Sequence, residues 1–574
     1  MSSETPSHAF DKTQRDWLEG FLAAAGRQLT GAGEEPCPYP AEASAGYRAQ
    51  TRWLASGKRL AREEQIKRRR NPLLFRARLQ ELDAQGQFPE GEENFLARFH
   101  GIFNVAPTQA RPMCRLRIPG GIVTAPQAQA IASAARDCGD GLVWLTTRSN
   151  VQIREIREGQ MDELLVRLEE VGLGARGSGA DNLRNIVGNP TAGIDPTEIL
   201  DVRPLVRRWN HHVLNQPDLF GLPRKFNVAF EGGGRITSFA QTNDISLRAV
   251  RIRGVVKLSL GLGGITGHGD YARETGVLLP LDGWLWPLHR MLTVYLENGN
   301  RGQRGRSRLK YLLEDWGVER FLSEVQDGLP TALERVDPAS LPAFVAADRT
   351  AHFGPQPQKQ RGRSWLGVHV PVGKLTAAQF EGLARIAAGH GDGDLRLTVW
   401  QNLLLSGLRT QELDGVTREV EALGLSCRPD GLLQGLIACT GSEGCKHGQA
   451  ATKATALAIE TLLAGKVPGD SPVNVHITGC PHSCAQHLTA DIGLIGTGLE
   501  LDGIRHDAFH IALGGVTEGE HGIAEIVARS IPAQEVPKRL ETLLDHWLGN
   551  RTPGEGFEAF VRRVGLTTLA SLLA

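Results

Sequence analysis

The chain has 574 residues, enough for several domains with substantial cores. Its 64 basic residues balance its 64 acidic ones, so no global field points to nucleic acid or to a membrane surface. No stretch approaches the roughly 20 apolar residues that span a bilayer. The opening MSSETPSHAFDKTQRDW has neither an apolar core nor an Arg-rich transit pattern, which leads to the expectation of a cytoplasmic protein.

Residues 1–100 read as a helical, charged N-terminal region, in which the basic run Lys67–Arg70 is expected to be a solvated face. After it, the alternating segment MCRLRIPGG predicts a strand. Arg115 and Arg117 lie two apart on it and are expected to face the same side. A gapless internal repeat follows. Shifting the chain by 252 residues lays Pro119–Asn150 on Pro371–Asn402, with identities that include Thr124/Thr376, Gln127/Gln379, Asp140/Asp392 and Asn150/Asn402. Each copy reads strand, helix, strand. Thr124 or Thr376 would cap an Ala-rich helix, GDG would close it, and LVWLTT or LRLTVW would return as a strand. A long unit occurring twice indicates a duplicated domain rather than a solenoid.

Further cationic segments come next: DNLRN with Arg184, LPRKFN with Arg224 and Lys225, and RGQRGRSRLKY with Arg301, Arg304, Arg306, Arg308 and Lys310. The last reads equally as a solvated loop or as a surface for an anionic group or an acidic partner. Between them, GLGGITGHG from Gly261 is glycine-rich but lacks the strand–GxGxxG–helix context of a dinucleotide site. The Pro- and Gln-rich stretch Asp337–Arg363 reads as a linker between two halves, 105–345 and 360–574.

The most specific feature lies in the second half. Cys439 and Cys445 in ACTGSEGC, then Cys480 and Cys484 in ITGCPHSC, are spaced C-x5-C and C-x3-C and separated by 34 residues. Two cysteine pairs on separate turns suit a four-iron cluster. Zinc is the competing reading, against which the five-residue spacing stands. TGCP is expected to turn into a helix that carries Cys480 and Cys484 on one face. The other cysteines, Cys37, Cys114, Cys138 and Cys427, have no pair spacing and read as buried free thiols. The 252-residue shift sets DNLRNIVGNP opposite ACTGSEGC and LPRKFNVAF opposite TGCPHSC. If the halves pack about a pseudo-two-fold axis, cations and cysteines converge on one shared site.

The cysteine signature resembles that of the sirohaem and iron–sulfur nitrite and sulfite reductases. GADNLRNIVGNPTAGIDPTEILDVRPL (179–205) and TTRSNVQIREI (from Thr146) are similar to the ferredoxin-dependent nitrite reductases of plants and cyanobacteria. RFHGIF (Arg98–Phe103) looks more like the sulfite reductase version of its segment. The resemblance implies a mixed α+β fold: duplicated ferredoxin-like half-domains (105–175 and 360–430) plus two sirohaem/iron–sulfur domains (176–345 and 431–574) around a pseudo-two-fold axis. It implies a [4Fe–4S] cluster held by Cys439, Cys445, Cys480 and Cys484, with Cys484 also the axial ligand of the sirohaem iron. Arg115, Arg184 and Lys225 would hold the anionic substrate. Asn227 stands where sulfite reductases carry a second Lys, which favours nitrite. Arg117, Arg148, Asn150 and Gln152 would meet the carboxylates of sirohaem, and the glycine-rich segment would border it. The implied activity is assimilatory six-electron reduction of nitrite to ammonia. Electrons would come from ferredoxin or flavodoxin, because no flavin or nicotinamide module is present. The alternatives are an assimilatory sulfite reductase on the same scaffold, a related precorrin oxygenase and, from another class, a zinc-stapled binding protein.

Overall fold

The computed structural model describes residues 44–343, 348–428, 430–516 and 522–573. Cys37 and the start of the N-terminal region lie outside them. From Ser44, whose hydroxyl caps the helix Ala45–Ala55, short helices run to His100. Ile66, Phe75, Leu79 and Leu96 join the core of the repeat units. Only part of the basic run is solvated. Arg69 and Arg70 are exposed, whereas Lys67 is buried against Glu64, Asp181 (3.3 Å) and the Leu222 carbonyl (2.8 Å). Glu64 also meets Arg301, and Arg304 meets Asp181 at 2.7 Å. Charges survive burial here because each is paired, and the decisive partner, Asp181, is 114 residues away from Lys67.

The two repeat units share one core and exchange strands. The helices Ala125–Cys138 and Ala377–His390 pack on each other, and each starts at a capping box, Thr124 with Gln127 and Thr376 with Gln379. One five-stranded sheet runs Ile102–Phe103, Met113–Arg115, Asn150–Ile153, Leu142–Thr146 and then Lys374–Thr376, which comes from the other unit. Reciprocally, Gly354–Pro357, Arg363–Val368, Leu403–Arg409 and Asp394–Leu397 receive Ile122–Thr124. The registers are related by the 252-residue shift, Lys374 opposite Trp144 and Ile122 opposite Arg396.

The expected linker is partly structured, since Gly354–Pro357 pairs antiparallel with Arg363–Val368 as an edge strand. Pro355 and Pro357 lack an amide N–H and are tolerated there because an edge strand has one side unpaired.

The two larger domains each carry a mixed sheet. In the first, Val228–Glu231 lies parallel to Ile245–Ile252, followed by antiparallel Val255–Leu262, Arg273–Pro280 and Glu334–Arg335. In the second, Leu436–Ala438, Val475–Thr478 and Ile492–Leu501 are parallel, followed by antiparallel Ile504–Leu513 and Glu525–Pro532. Where the second domain has Leu436–Ala438, the first has an irregular segment. It pairs only through isolated parallel bridges, Leu183 with Phe226 and Val187 with Ala229. Helices cover both sheets, Leu285–Asn298 and Arg203–Leu214 in one, Thr452–Leu463 and Val536–Asn550 in the other. Among the described residues no helix is long and apolar enough to cross a membrane.

Candidate active site

A cavity of about 430 Å³ opens between the first repeat unit and the two larger domains. All four cysteines of the two pairs line it. Cys439 follows the C-terminal end of strand Leu436–Ala438, and Cys480 follows that of Val475–Thr478. Open α/β sheets place ligands at such strand ends. The loops interlock through glycine: a Cβ on Gly448 would stand 2.4 Å from the Gly441 carbonyl carbon, and one on Gly479 would stand 3.0 Å from the Gly441 Cα. The Gly479 N–H donates to the Cys439 sulfur at 3.2 Å.

Burial and the neighbouring Cys484 push the Cys439 thiol up to about 11. Burial raises Cys480 as well, with Cys484 and Cys445 adding to it. Cys439 therefore senses Cys484, and Cys480 senses both Cys484 and Cys445. Thiols held this high become thiolates only when a metal takes the place of the proton. Among the described residues no three His, Cys, Asp or Glu groups close on a single-ion site. Four cysteines on one cavity suit a four-iron cube.

The expected helix through Cys480 and Cys484 does not form. The segment is a chain of turns, Ser483 N–H to the Cys480 carbonyl and Gln486 N–H to that of Ser483. Ser483 and Gln486 both take left-handed φ, +54° and +59°, which no α-helix accommodates. These turns bring Cys480 and Cys484 to the same cavity wall without helical spacing.

Arg115, Arg184, Lys225 and Asn227 line the same cavity as the cysteines. Neither Arg115 nor Lys225 makes an ion pair among the described residues. Arg184 donates only to the carbonyls of Ser178 (3.1 Å) and Ala180 (2.8 Å). Burial lowers all three, Lys225 to about 7, with Arg308 adding to its fall and Cys484 opposing it. Arg308 also lines the cavity, but Asp244 neutralises it at 2.9 and 2.7 Å and holds the Asn227 amide N–H at 2.8 Å.

Arg148, Asn150 and Gln152 line the same cavity. Arg148 donates to Asn243 (2.9 Å) and to the Asn185 carbonyl (2.8 Å), leaving its buried Nε without a partner. Asn150 donates to the Leu116 carbonyl, and Gln152 accepts from Arg154 at 2.6 Å. The cations and orphaned guanidinium nitrogens fit an anionic macrocycle, as their desolvation is uncompensated within the protein. Thr147 donates to the Cys484 carbonyl at 2.8 Å and ties this wall to the cysteine loop.

Arg117 departs from expectation. Its strand ends at Arg115, and Arg117 instead bridges to Gly174 and points away from the cavity, donating to Asn210 (2.6 Å) and the Leu183 carbonyl (2.7 Å). The glycine-rich segment does border the cavity at Ile265–Gly267. Its close approach is to the cysteine loop, where a Cβ on Gly267 would stand 3.0 Å from the His482 carbonyl oxygen.

Two buried cations escaped the sequence reading. Arg154 ties Gln152 to Thr440 (3.0 Å) and to the Gly444 carbonyl (3.2 Å), inside the first cysteine loop. Continuing the alternation Asn150, Gln152 by one step would have found it. Lys453 donates to the Ala438 carbonyl at 3.1 Å, beside Cys439, and burial brings it down to about 7. No local pattern marks it.

The cations and cysteines are not symmetry mates. Val228 pairs with Ile245 as Val475 pairs with Ile492, an offset of 247 residues rather than 252. Lys225 thus precedes its strand while Cys480 follows the equivalent one. The 252-residue shift misaligns these segments by five residues.

Comparison with known proteins gives a consistent picture. Residues 179–333 and 433–573 match the family model "nitrite and sulphite reductase 4Fe-4S domain". Residues 107–171 and 356–423 match the "nitrite/sulfite reductase ferredoxin-like half domain". The chain is 33% identical over 506 residues to a ferredoxin–nitrite reductase of Synechococcus elongatus, covering 85% of this chain and 97% of that one. It is 36% identical over 487 residues to the chloroplastic ferredoxin–nitrite reductase of Zea mays, covering 82% and 84%. The solved Mycobacterium tuberculosis NirA protein superposes with a TM-score of 0.83 at 25% identity, covering 91% and 99%.

Proposed function

We propose a reaction for this chain from one premise: it belongs to the nitrite and sulphite reductase family of oxidoreductases, whose cofactors are sirohaem and a [4Fe–4S] cluster. The reaction is the assimilatory six-electron reduction of nitrite to ammonia, with electrons from reduced ferredoxin or a similar small carrier. The observation that carries this reading is that four cysteines and a set of cations without counter-ions among the described residues line one cavity. The ferredoxin–nitrite reductase relatives support the choice of substrate and donor.

Cys439, Cys445, Cys480 and Cys484 would hold the cluster, Cys484 also serving the sirohaem iron, with Arg148, Asn150 and Gln152 on the sirohaem side. Bound there, the two cofactors supply stepwise electron transfer and the site where the substrate nitrogen is held. The chain's own residues position and neutralise. Arg115 and Arg184 present guanidinium donors to an oxyanion in a desolvated site, where each is worth more than in water. The Lys225 Nζ, near 7, can lend a proton at neutral pH and recover it from solvent. Asn227 contributes polarity without charge, which suits a monoanion.

Steady-state rates of the purified holoenzyme on nitrite and on sulfite, with a reduced viologen as donor, test the reading. A higher kcat/KM for nitrite is expected. A higher value for sulfite would move the protein to the sulfite reductase reading, and a spectrum without a Soret band would remove the haem.

A further inference from the structure

A second cavity, of about 330 Å³, lies outside the active site, behind the strand that carries Arg115. Arg117 lines it. Helix Arg203–Leu214 contributes Arg207 and Asn210, and the turn after Met161–Glu170 contributes Arg176. None of the three arginines makes an ion pair among the described residues, and no carboxylate lines the cavity. Asp394 feels Arg207 from outside the lining, but it lies 4.0 Å from Arg396. Arg117 is 4% exposed, and its second terminal nitrogen has no partner although the other donors of the group are satisfied. A buried guanidinium N–H without an acceptor costs free energy, and Arg117 is the buried cation of the cavity lining. Arg176 is held in place by stacking over Phe220, 5.1 Å from the ring centre, with its charge free. The remaining wall, Ile118, Ile122, Leu173 and Leu214, is aliphatic.

From one buried and two rim guanidiniums around an aliphatic chamber, we infer that this cavity is a second anion site that binds a short-chain dicarboxylate. One carboxylate meets Arg117 and Asn210. The hydrocarbon lies on Ile118, Ile122 and Leu173. The other carboxylate bridges Arg176 and Arg207. Inorganic phosphate satisfies the charges but leaves the aliphatic wall wet, and a monocarboxylate leaves the rim cations unpaired.

The site reports to the catalytic cavity. Arg117 and Arg115 are two residues apart, Arg117 holds the carbonyl of Leu183 next to Arg184, and it feels the charge of Arg148. An anion on Arg117 reduces the positive potential that draws substrate, so the two ligands oppose each other, and linkage makes that opposition mutual.

Isothermal titration of the holoenzyme with glutarate tests the binding independently of which substrate is reduced. Saturable one-to-one binding is expected, at least tenfold tighter than butyrate or inorganic phosphate. It should weaken about a hundredfold in the surface variant Arg176→Gln/Arg207→Gln and persist in Lys225→Met. In steady-state assays, saturating glutarate should raise the KM for nitrite two- to threefold in the parent and leave the double variant unaffected. Absence of binding overturns the inference. So does binding that the double variant keeps, or that Lys225→Met abolishes, because the ligand would then sit elsewhere.

Discussion

Arg308 and Lys225 both line the cavity that holds the four cysteines, yet only Arg308 has a counter-ion among the described residues. The bidentate pair with Asp244 spends the charge of Arg308 on structure. Lys225 has no carboxylate partner among the described residues, and burial brings it to about 7, with Arg308 adding to the fall and Cys484 only partly opposing it. Asn227, two residues on, therefore sets how much further positive charge the wall presents. Replacing it with Lys should raise kcat/KM for sulfite relative to nitrite about tenfold, roughly 1.4 kcal/mol of differential stabilisation. The Asn227 amide is held by Asp244, so the new side chain enters a fixed backbone position rather than remodelling the wall. An unchanged ratio, or one shifted toward nitrite, would overturn charge matching as the basis of selectivity. The cysteines obey a similar division of labour. Single Ser variants of Cys439, Cys445, Cys480 and Cys484 should each lose iron and acid-labile sulfide. Cys114→Ser and Cys138→Ser, in the core of the repeat units, should keep both. Full cluster content in any one of the first four would remove that residue from the ligand set.

The strand exchange makes the repeat units mechanically inseparable. Without Lys374–Thr376, the strand Leu142–Thr146 becomes an open sheet edge. Without Ile122–Thr124, Asp394–Leu397 does the same. Open edges of apolar strands template aggregation, and the helices Ala125–Cys138 and Ala377–His390 would each lose their partner in the shared core. Fragments 44–343 and 348–573 expressed singly should be insoluble or lack a cooperative thermal transition, and co-expressed they should purify as a complex. A cooperative transition in either fragment alone would show that the exchange is dispensable. Much of this architecture was legible because it is local: Thr124 with Gln127 and Thr376 with Gln379 mark helix starts, and alternation marks the strands that return. The exchange itself was not legible, since a strand's pattern records which face is buried and not which neighbour it pairs with. The burial of Lys67 depends on Asp181 and Arg301, far along the chain. The turns after Cys480 depend on two non-glycine residues in left-handed conformation, for which the local sequence has no marker. The five-residue slip between the larger domains is invisible to a repeat detected only in the smaller ones.

Over the whole molecule, the duplication yields one active cavity because its second copy is filled. The 252-residue shift replaces Arg148 by Trp400, Gln152 by Leu404, Arg154 by Ser406 and Arg115 by Gly367. Trp400 is buried against Phe239 (ring centres 4.6 Å apart), His352 (5.0 Å) and His476 (5.7 Å). What is a cationic wall in one half is an aromatic core in the other, and that core carries a pH liability. Burial brings His352 and His476 in this core down to about 3 and, elsewhere in the molecule, His100 and His487 to about 4, from an ordinary value of 6.5. Below pH 6.5 the unfolded chain binds protons that the folded one refuses, so stability falls as pH drops. The loss reaches about 1.4 kcal/mol per pH unit for each histidine and continues until the folded values near 3–4. His352 is the cleanest probe, as its Nδ1 has no partner and its ring only packs. His352→Phe keeps an aromatic ring against Trp400 and removes the proton site. In chemical denaturation followed by circular dichroism, the stability lost between pH 7.5 and 5.5 should shrink by about 1.4 kcal/mol in the variant. The two proteins should differ far less in their pH dependence above pH 7.5. An identical acid loss in both would mean that His352 titrates in the folded state near its ordinary value, and the filled copy of the cavity would then be wet rather than a sealed core.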